Sequence, residues 1–139
     1  MLAAWVLMMM SAAIVLLLGT LHLIYTFYGP KLLPRDPELI ASMQRVHLRI
    51  TRETTVWRAW IGFNASHSMA AILFGLVFAW LAGVHPAILF GSAFPIAVGL
   101  AMLAGLVVLA KLYWFRVPLA GVTLSLACYL ASVVVWHVG

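Results

Sequence analysis

The chain has 139 residues, of which 66% are hydrophobic and 8% charged, and its mean hydropathy is +1.15. That composition excludes a soluble globular domain, which needs a solvated charged surface, and the length leaves room for one compact membrane domain. The net charge of +5 and pI near 10 do not indicate nucleic acid. The cations flank apolar runs, and anchoring to anionic headgroups accounts for them.

Four apolar runs, about residues 3–28, 56–82, 94–113 and 118–137, fill most of the chain. Each reaches about 20 residues, the length that crosses a ~30 Å hydrocarbon layer as a helix. Met1–Tyr28 lacks a positive n-region and exceeds the apolar length of a signal peptide, so it reads as a retained first span. No lipidation motif is evident. Span one ends at Gly29-Pro30, after an aromatic belt of Tyr25, Phe27 and Tyr28. Asp36-Pro37-Glu38 then predicts a helix start: Asp as N-cap, Pro at the first helical position and Glu in the first turn.

From there an amphipathic helix over about 36–55 is predicted. Leu39, Met43, Val46, Ile50 and Trp57 form its apolar face, with Arg45, Arg49 and Arg52 on the flank. Such a helix lies at headgroup level, or else extends span two into the cytoplasm. Span two ends at Gly83. His85-Pro86 and Gly91-Ser92 mark a short uncharged loop, Pro95 opens span three, and Pro118 opens span four.

Lys31, Arg35, Arg45, Arg49, Arg52 and Arg58 belong to the first connection and its flanks, and Lys111 and Arg116 to the third. The second connection and both termini carry no Lys or Arg. The positive-inside rule therefore puts connections one and three in the cytoplasm and both termini on the outer, periplasmic side. So strong a bias disfavours a dual-topology multidrug transporter, a four-span class of similar size. Small residues recur at four-residue spacing: Ala71, Gly75, Ala79 and Gly83 in span two, Ala97, Ala101 and Gly105 in span three. These ridges predict close helix packing within the chain, or a homodimer face. Cys128 is the only cysteine, so it forms no internal disulfide.

The densest polar cluster is Trp57–Ser68. On one continuous helix, Arg49, Glu53, Trp57, Trp60, Asn64, His67 and Ser68 would share a face with Ala71 and Gly75. Polar groups at this depth must meet protein, ligand or water, and not lipid. In span one, Ser11, Val15, Leu18, Gly19, His22 and Thr26 share a face. His22 would lie about 10 Å from the cytoplasmic end, Asn64 about 12 Å and His67 about 16 Å. A shared pocket between spans one and two is therefore the candidate ligand site, lined by His22, Trp57, Trp60, Asn64, His67 and Ser68. Arg49, Arg52, Glu53 and Arg58 would stand at its mouth.

Imidazole beside aromatic rings suits a quinone or another lipid-like molecule, and arginines suit an anionic headgroup. The competing reading is that these polar groups only bond one another across helices. Haem or metal is disfavoured, because the histidine depths differ and no carboxylate lies in a span core. Glu53 reads as a surface partner of Arg49 or as a proton relay. Asp36 and Glu38 read as helix-start residues, and His47 as interfacial. A metal site shared by His85 and His137 on the outer side is also disfavoured. The lack of intramembrane acids weakens an ion-coupled pump. There is no Cys pair, phosphate loop or nucleophile elbow.

The segments Gly29-Pro30-Lys31, Pro34-Arg35-Asp36-Pro37, Trp57-Arg58-Ala59-Trp60-Ile61-Gly62-Phe63-Asn64-Ala65-Ser66-His67-Ser68 and Tyr113-Trp114-Phe115-Arg116-Val117-Pro118 carry a resemblance over nearly the whole chain. It resembles a family of small, uncharacterised bacterial four-span integral membrane proteins. The resemblance implies four spans in a bacterial inner membrane and names no catalytic residue. The expected fold is an all-α bundle of four transmembrane helices, with an amphipathic interfacial helix between the first two. The expected function is binding or accessory: holding a lipid- or quinone-like molecule in the cytoplasmic half of the bundle. The alternatives are a membrane enzyme using His67, His22 or Glu53 as acid or base on a lipophilic substrate, and a structural subunit of a larger complex or homo-oligomer.

Overall fold

A computed structural model describes residues 1–139 and contains six helices and one two-stranded hairpin. Four helices are long and apolar enough to cross a membrane: α1 (Leu2–Phe27), α3 (Val56–Val84), α5 (Ala93–Tyr113) and α6 (Arg116–Val138). At 1.5 Å per residue, even the 21-residue α5 is about 32 Å long and covers the hydrocarbon layer. Leu17 of α1, Leu73 of α3, Val108 of α5 and Val134 of α6 are 59, 62, 56 and 59% exposed. Their outward faces are thus as apolar as a core, and lipid is the solvent that suits them. The chain is an all-α, multi-pass integral membrane protein.

It packs as two compact units, Met1–Leu18 with Ala71–Gly139, and Gly19–Ala70. In the first unit each helix buries a stripe at three- and four-residue spacing. The stripes are Ala4, Met8, Ser11, Ala12 and Val15 on α1; Ala71, Phe74, Phe78 and Ala82 on α3; Gly99, Leu103, Leu106 and Ala110 on α5; and Val122, Ser125, Tyr129 and Ser132 on α6. Small residues set the closest approaches. A Cβ at Gly75 would stand 2.7 Å from Leu16 Cβ and 2.9 Å from the Ala12 carbonyl, so α1 and α3 touch backbone to backbone there. A Cβ at Gly99 would meet Phe78 Cε1 and Tyr129 Cζ, each at 2.7 Å.

Hydroxyls cross-link this core. Ser132 Oγ donates to the Ala4 carbonyl (2.6 Å), and Tyr129 Oη donates to the Ile96 carbonyl (3.0 Å). Ser125 Oγ donates to the Ser11 carbonyl at 3.0 Å. With its hydrogen used there, it accepts from the Ser11 hydroxyl at 2.9 Å. Every buried side-chain polar atom is hydrogen-bonded, as a water-free interior requires.

The small-residue ridges separate. Ala71 and Gly75 pack inside the unit as predicted. Gly83 meets nothing within 4 Å, and Ala97, Ala101 and Gly105 of span three are exposed, so that second ridge is not an internal packing seam. The second connection, expected as a loop, carries a short helix, α4 (Pro86–Gly91). Pro86 occupies a first-turn position, where its missing N–H is no loss. The helix forms because Leu89 and Phe90 are buried, with Phe90 stacked on Trp136 at 4.4 Å.

In the second unit, α1 ends where Gly29 takes a left-handed φ of +83°. Lys31 Nζ returns to Tyr25, 2.8 Å from its hydroxyl and 4.0 Å from the ring centre. Asp36 caps α2 (Pro37–Arg45) by accepting from the Glu38 N–H at 2.9 Å, as its sequence signature predicts. The amphipathic helix is shorter than expected. Past Arg45 the chain forms β1 (His47–Leu48) and β2 (Thr51–Thr55), an antiparallel hairpin. Three of the five β2 residues are threonines, whose branching favours extended backbone. Thr51 Oγ1 accepts from the Glu53 N–H, and Thr55 Oγ1 caps α3 by accepting from the Arg58 N–H. His47 Nδ1–H donates to the Thr54 carbonyl at 3.0 Å.

Candidate functional site

Within Gly19–Ala70, the last turns of α1 and the first half of α3 bring three of the predicted residues together. His22 Nε2 lies 2.9 Å from Asn64 Oδ1. Asn64 Nδ2 donates to the Trp60 carbonyl one turn earlier, at 2.8 Å. That bond fixes the amide: the opposite orientation would place Oδ1 against the carbonyl oxygen. Asn64 therefore presents an acceptor to His22, and Nε2 carries the proton. In a neutral ring, Nδ1 then holds the lone pair. The His67 ring stands edge-on to His22, with centroids 5.5 Å apart and planes at 87°. Both histidines and Asn64 are half-buried. Thr26, on the predicted span-one face, is buried and donates to the His22 carbonyl at 2.8 Å, which anchors the backbone beneath the ring.

The other predicted site residues add no side-chain hydrogen bond to His22, Asn64 or His67 across the two helices. Ser68 is fully buried, but its hydroxyl back-bonds to the Asn64 carbonyl at 2.7 Å, a tie within α3. Trp57 is half-buried, and Trp60, 41% exposed, supplies its carbonyl to the cluster. Arg49 and Glu53 do not join the helical stripe, because α3 begins at Val56 and both belong to the hairpin segment. The one-turn Arg49–Glu53 spacing is therefore not formed. Arg52 is exposed on β2, and Arg58 is exposed in the first turn of α3.

The expected pocket is thus partly filled by its own hydrogen bond, that of His22 with Asn64. Two cavities of about 510 Å³ each lie away from it. One is walled by Phe90, Ile96, Leu100, Val133 and His137, the other by Arg116, Leu119, Thr123 and Ala127. Two imidazoles supply half of a tetrahedral metal's ligands, and no third Cys, His, Asp or Glu gathers with them. His85 lies against Trp80 with ring centres 4.6 Å apart, and His137 Nδ1–H donates to the Val133 carbonyl, so each outer histidine has its own local contact. What the cluster offers is a fixed N–H···O pair beside a second imidazole, all half-buried.

Comparison of the chain with protein-family models, curated proteins and solved structures finds no match. The functional reading therefore rests on the chemistry of these side chains.

Proposed function

We propose that this is a binding or accessory protein of the bacterial inner membrane, holding a lipid- or quinone-like molecule at His22, Asn64 and His67. The observation that carries the reading is the geometry of the His22–Asn64 pair. A side chain–side chain bond in a half-buried place differs from a purely structural tie to backbone. Either partner can re-bond to a ligand head without unpairing a helix. His22 Nδ1 is of a type to accept from a ligand hydroxyl, and a ligand carbonyl can replace Asn64 Oδ1 as acceptor of the Nε2–H. A quinol or quinone, or a lipid with a hydroxyl or ester near its head, has these groups on an apolar body. The eight-to-none distribution of Lys and Arg supports placing this end of the spans at the cytoplasmic face, with both termini outside. The scarcity of acids near the cluster favours holding a molecule over transforming it.

The test is native mass spectrometry with an absorption spectrum on protein purified in mild detergent. The expected result is a stoichiometric small lipophile, retained by wild type and lost by a folded His22→Ala or His67→Ala variant. Wild type that carries nothing, or variants that keep the molecule, would remove the site.

A further inference from the structure

The hairpin was not expected from the sequence, and it exposes a side chain that water does not favour. Leu48 pairs with Thr51, so Arg49 and Ile50 are the two central residues of the turn. Neither has a positive φ, which leaves an ordinary right-handed turn. Such a turn splays its strands, and the ladder loses register directly behind it, between His47 and Leu48. The result is a blunt, irregular tip on which Ile50 is 89% exposed, between Arg49 and Arg52. Val46 and Leu39 are also exposed at 54 and 48%, although neither lies in a span.

The arm is short and rooted at a membrane edge. The Val56 N–H, at the first residue of α3, donates to the Val46 carbonyl at 2.9 Å and closes the hairpin base. Four residues of extended chain from Val46 to Ile50 reach at most about 13 Å. The tip therefore stays within about a headgroup layer and a Debye length of the level where α3 enters the membrane. Gly19–Ala70 holds six Lys and Arg against three acids, a net +3. One of those acids, Asp36, is committed to capping α2. Exposed aliphatic groups interleaved with arginines match an anionic bilayer surface on both counts, apolar and electrostatic.

We propose that the Val46–Val56 hairpin is a membrane finger: Ile50 dips below the headgroups of the protein's own bilayer, while Arg49 and Arg52 bind the phosphates of anionic lipids. This stands apart from the His22–Asn64–His67 site and involves none of its residues.

Site-directed spin labelling tests it on the full chain. Cys128→Ser removes the one native thiol, and Ile50→Cys carries the nitroxide; position 50 is exposed, so the label does not compete with packing. In phosphatidylglycerol nanodiscs, the label is expected to be reached by oxygen and shielded from a water-soluble nickel chelate. In phosphatidylcholine it is expected to return to water. Arg49→Gln with Arg52→Gln should lower the inserted-to-free ratio in phosphatidylglycerol on the order of 25-fold, at about 5-fold per arginine. A label open to the nickel chelate in phosphatidylglycerol overturns the finger. Equal insertion in both lipids overturns the arginine recognition. Shielding from both relaxing agents overturns the bilayer as occupant and identifies a protein contact.

Discussion

In the unit formed by Met1–Leu18 and Ala71–Gly139, the bonds between helices are made by the fully buried hydroxyls of Ser11, Ser125, Tyr129 and Ser132, which donate to a backbone carbonyl of another helix or bond a second serine. In Gly19–Ala70 the buried hydroxyls of Thr26 and Ser68 bond only within their own helices, and the contact between helices is made by a half-buried amide and two half-buried imidazoles, its hydrogen bond joining two side chains. The first arrangement is hard to exchange. A hydroxyl that leaves its carbonyl loses a partner that lipid does not replace. The second is built from groups that both donate and accept, at a half-buried place. Comparing the two separates polarity that locks helices from polarity open to chemistry, a distinction that residue type alone does not make.

The sharpest way to break the first region is at its closest approach. Gly75→Leu forces a side chain against the Ala12 carbonyl and Leu16 Cβ, and backbone on that side has little room to give. The expected loss is about 3 kcal/mol, the upper end for overpacking. Gly83→Leu, two steps along the same ridge where a Cβ meets nothing within 4 Å, should change stability by less than about 0.5 kcal/mol. Reversible unfolding in mixed micelles measures both. Equal effects would mean that ridge spacing, and not the contact at Gly75, governs stability.

Gly99→Ala comes next, at about 2 kcal/mol, because its methyl collides with Tyr129, which is fully buried and tied to the Ile96 carbonyl. Tyr129→Phe alone removes one hydrogen bond and should cost about 1 kcal/mol. Combined, the pair should cost less than the sum, since the phenol oxygen is part of the obstruction. Strict additivity would show that α5 moves away from α6 and does not repack around the ring.

In the second region, Thr55→Ala removes the hydroxyl that accepts the Arg58 N–H at the start of α3. The expected cost is about 1 kcal/mol, felt locally. Hydrogen exchange should quicken at the Trp57 and Arg58 amides and stay unchanged at the middle of α5. Faster exchange in both places would show that the cap governs the whole fold.

The spans were legible because a membrane imposes length and apolarity together, and the helix boundaries fall within about two residues of the runs read from composition. The Asp36-Pro37-Glu38 start was legible because capping is local chemistry. The hairpin was not. Leu39, Met43, Val46 and Ile50 recur at helical spacing, and that period masked the β-branched Thr51, Thr54 and Thr55, which end the helix at Arg45 and turn the chain back. The error carried Arg49 and Glu53 into a helical face to which they do not belong. The meeting of His22 with Asn64 was foreseen only as two polar faces at similar depth. Which atoms meet depends on the rotation of α1 against α3, and no single-helix pattern contains that.

That contact gives the smallest and most discriminating measurement. A double-mutant cycle over His22→Ala and Asn64→Ala should return a coupling of about 0.6 kcal/mol and no more than about 1.7, the range of interhelical hydrogen bonds in membranes. Asn64 keeps its tie to the Trp60 carbonyl when His22 is removed, so the single variants should fold and the cycle should close. The same variants should abolish retention of the lipophile. A coupling this weak, paired with complete loss of the bound molecule, is the signature of a site whose hydrogen bond is held ready for exchange. A coupling well above the range, with no change in any bound molecule, would place His22 and Asn64 with the serines of α6 as a lock between helices.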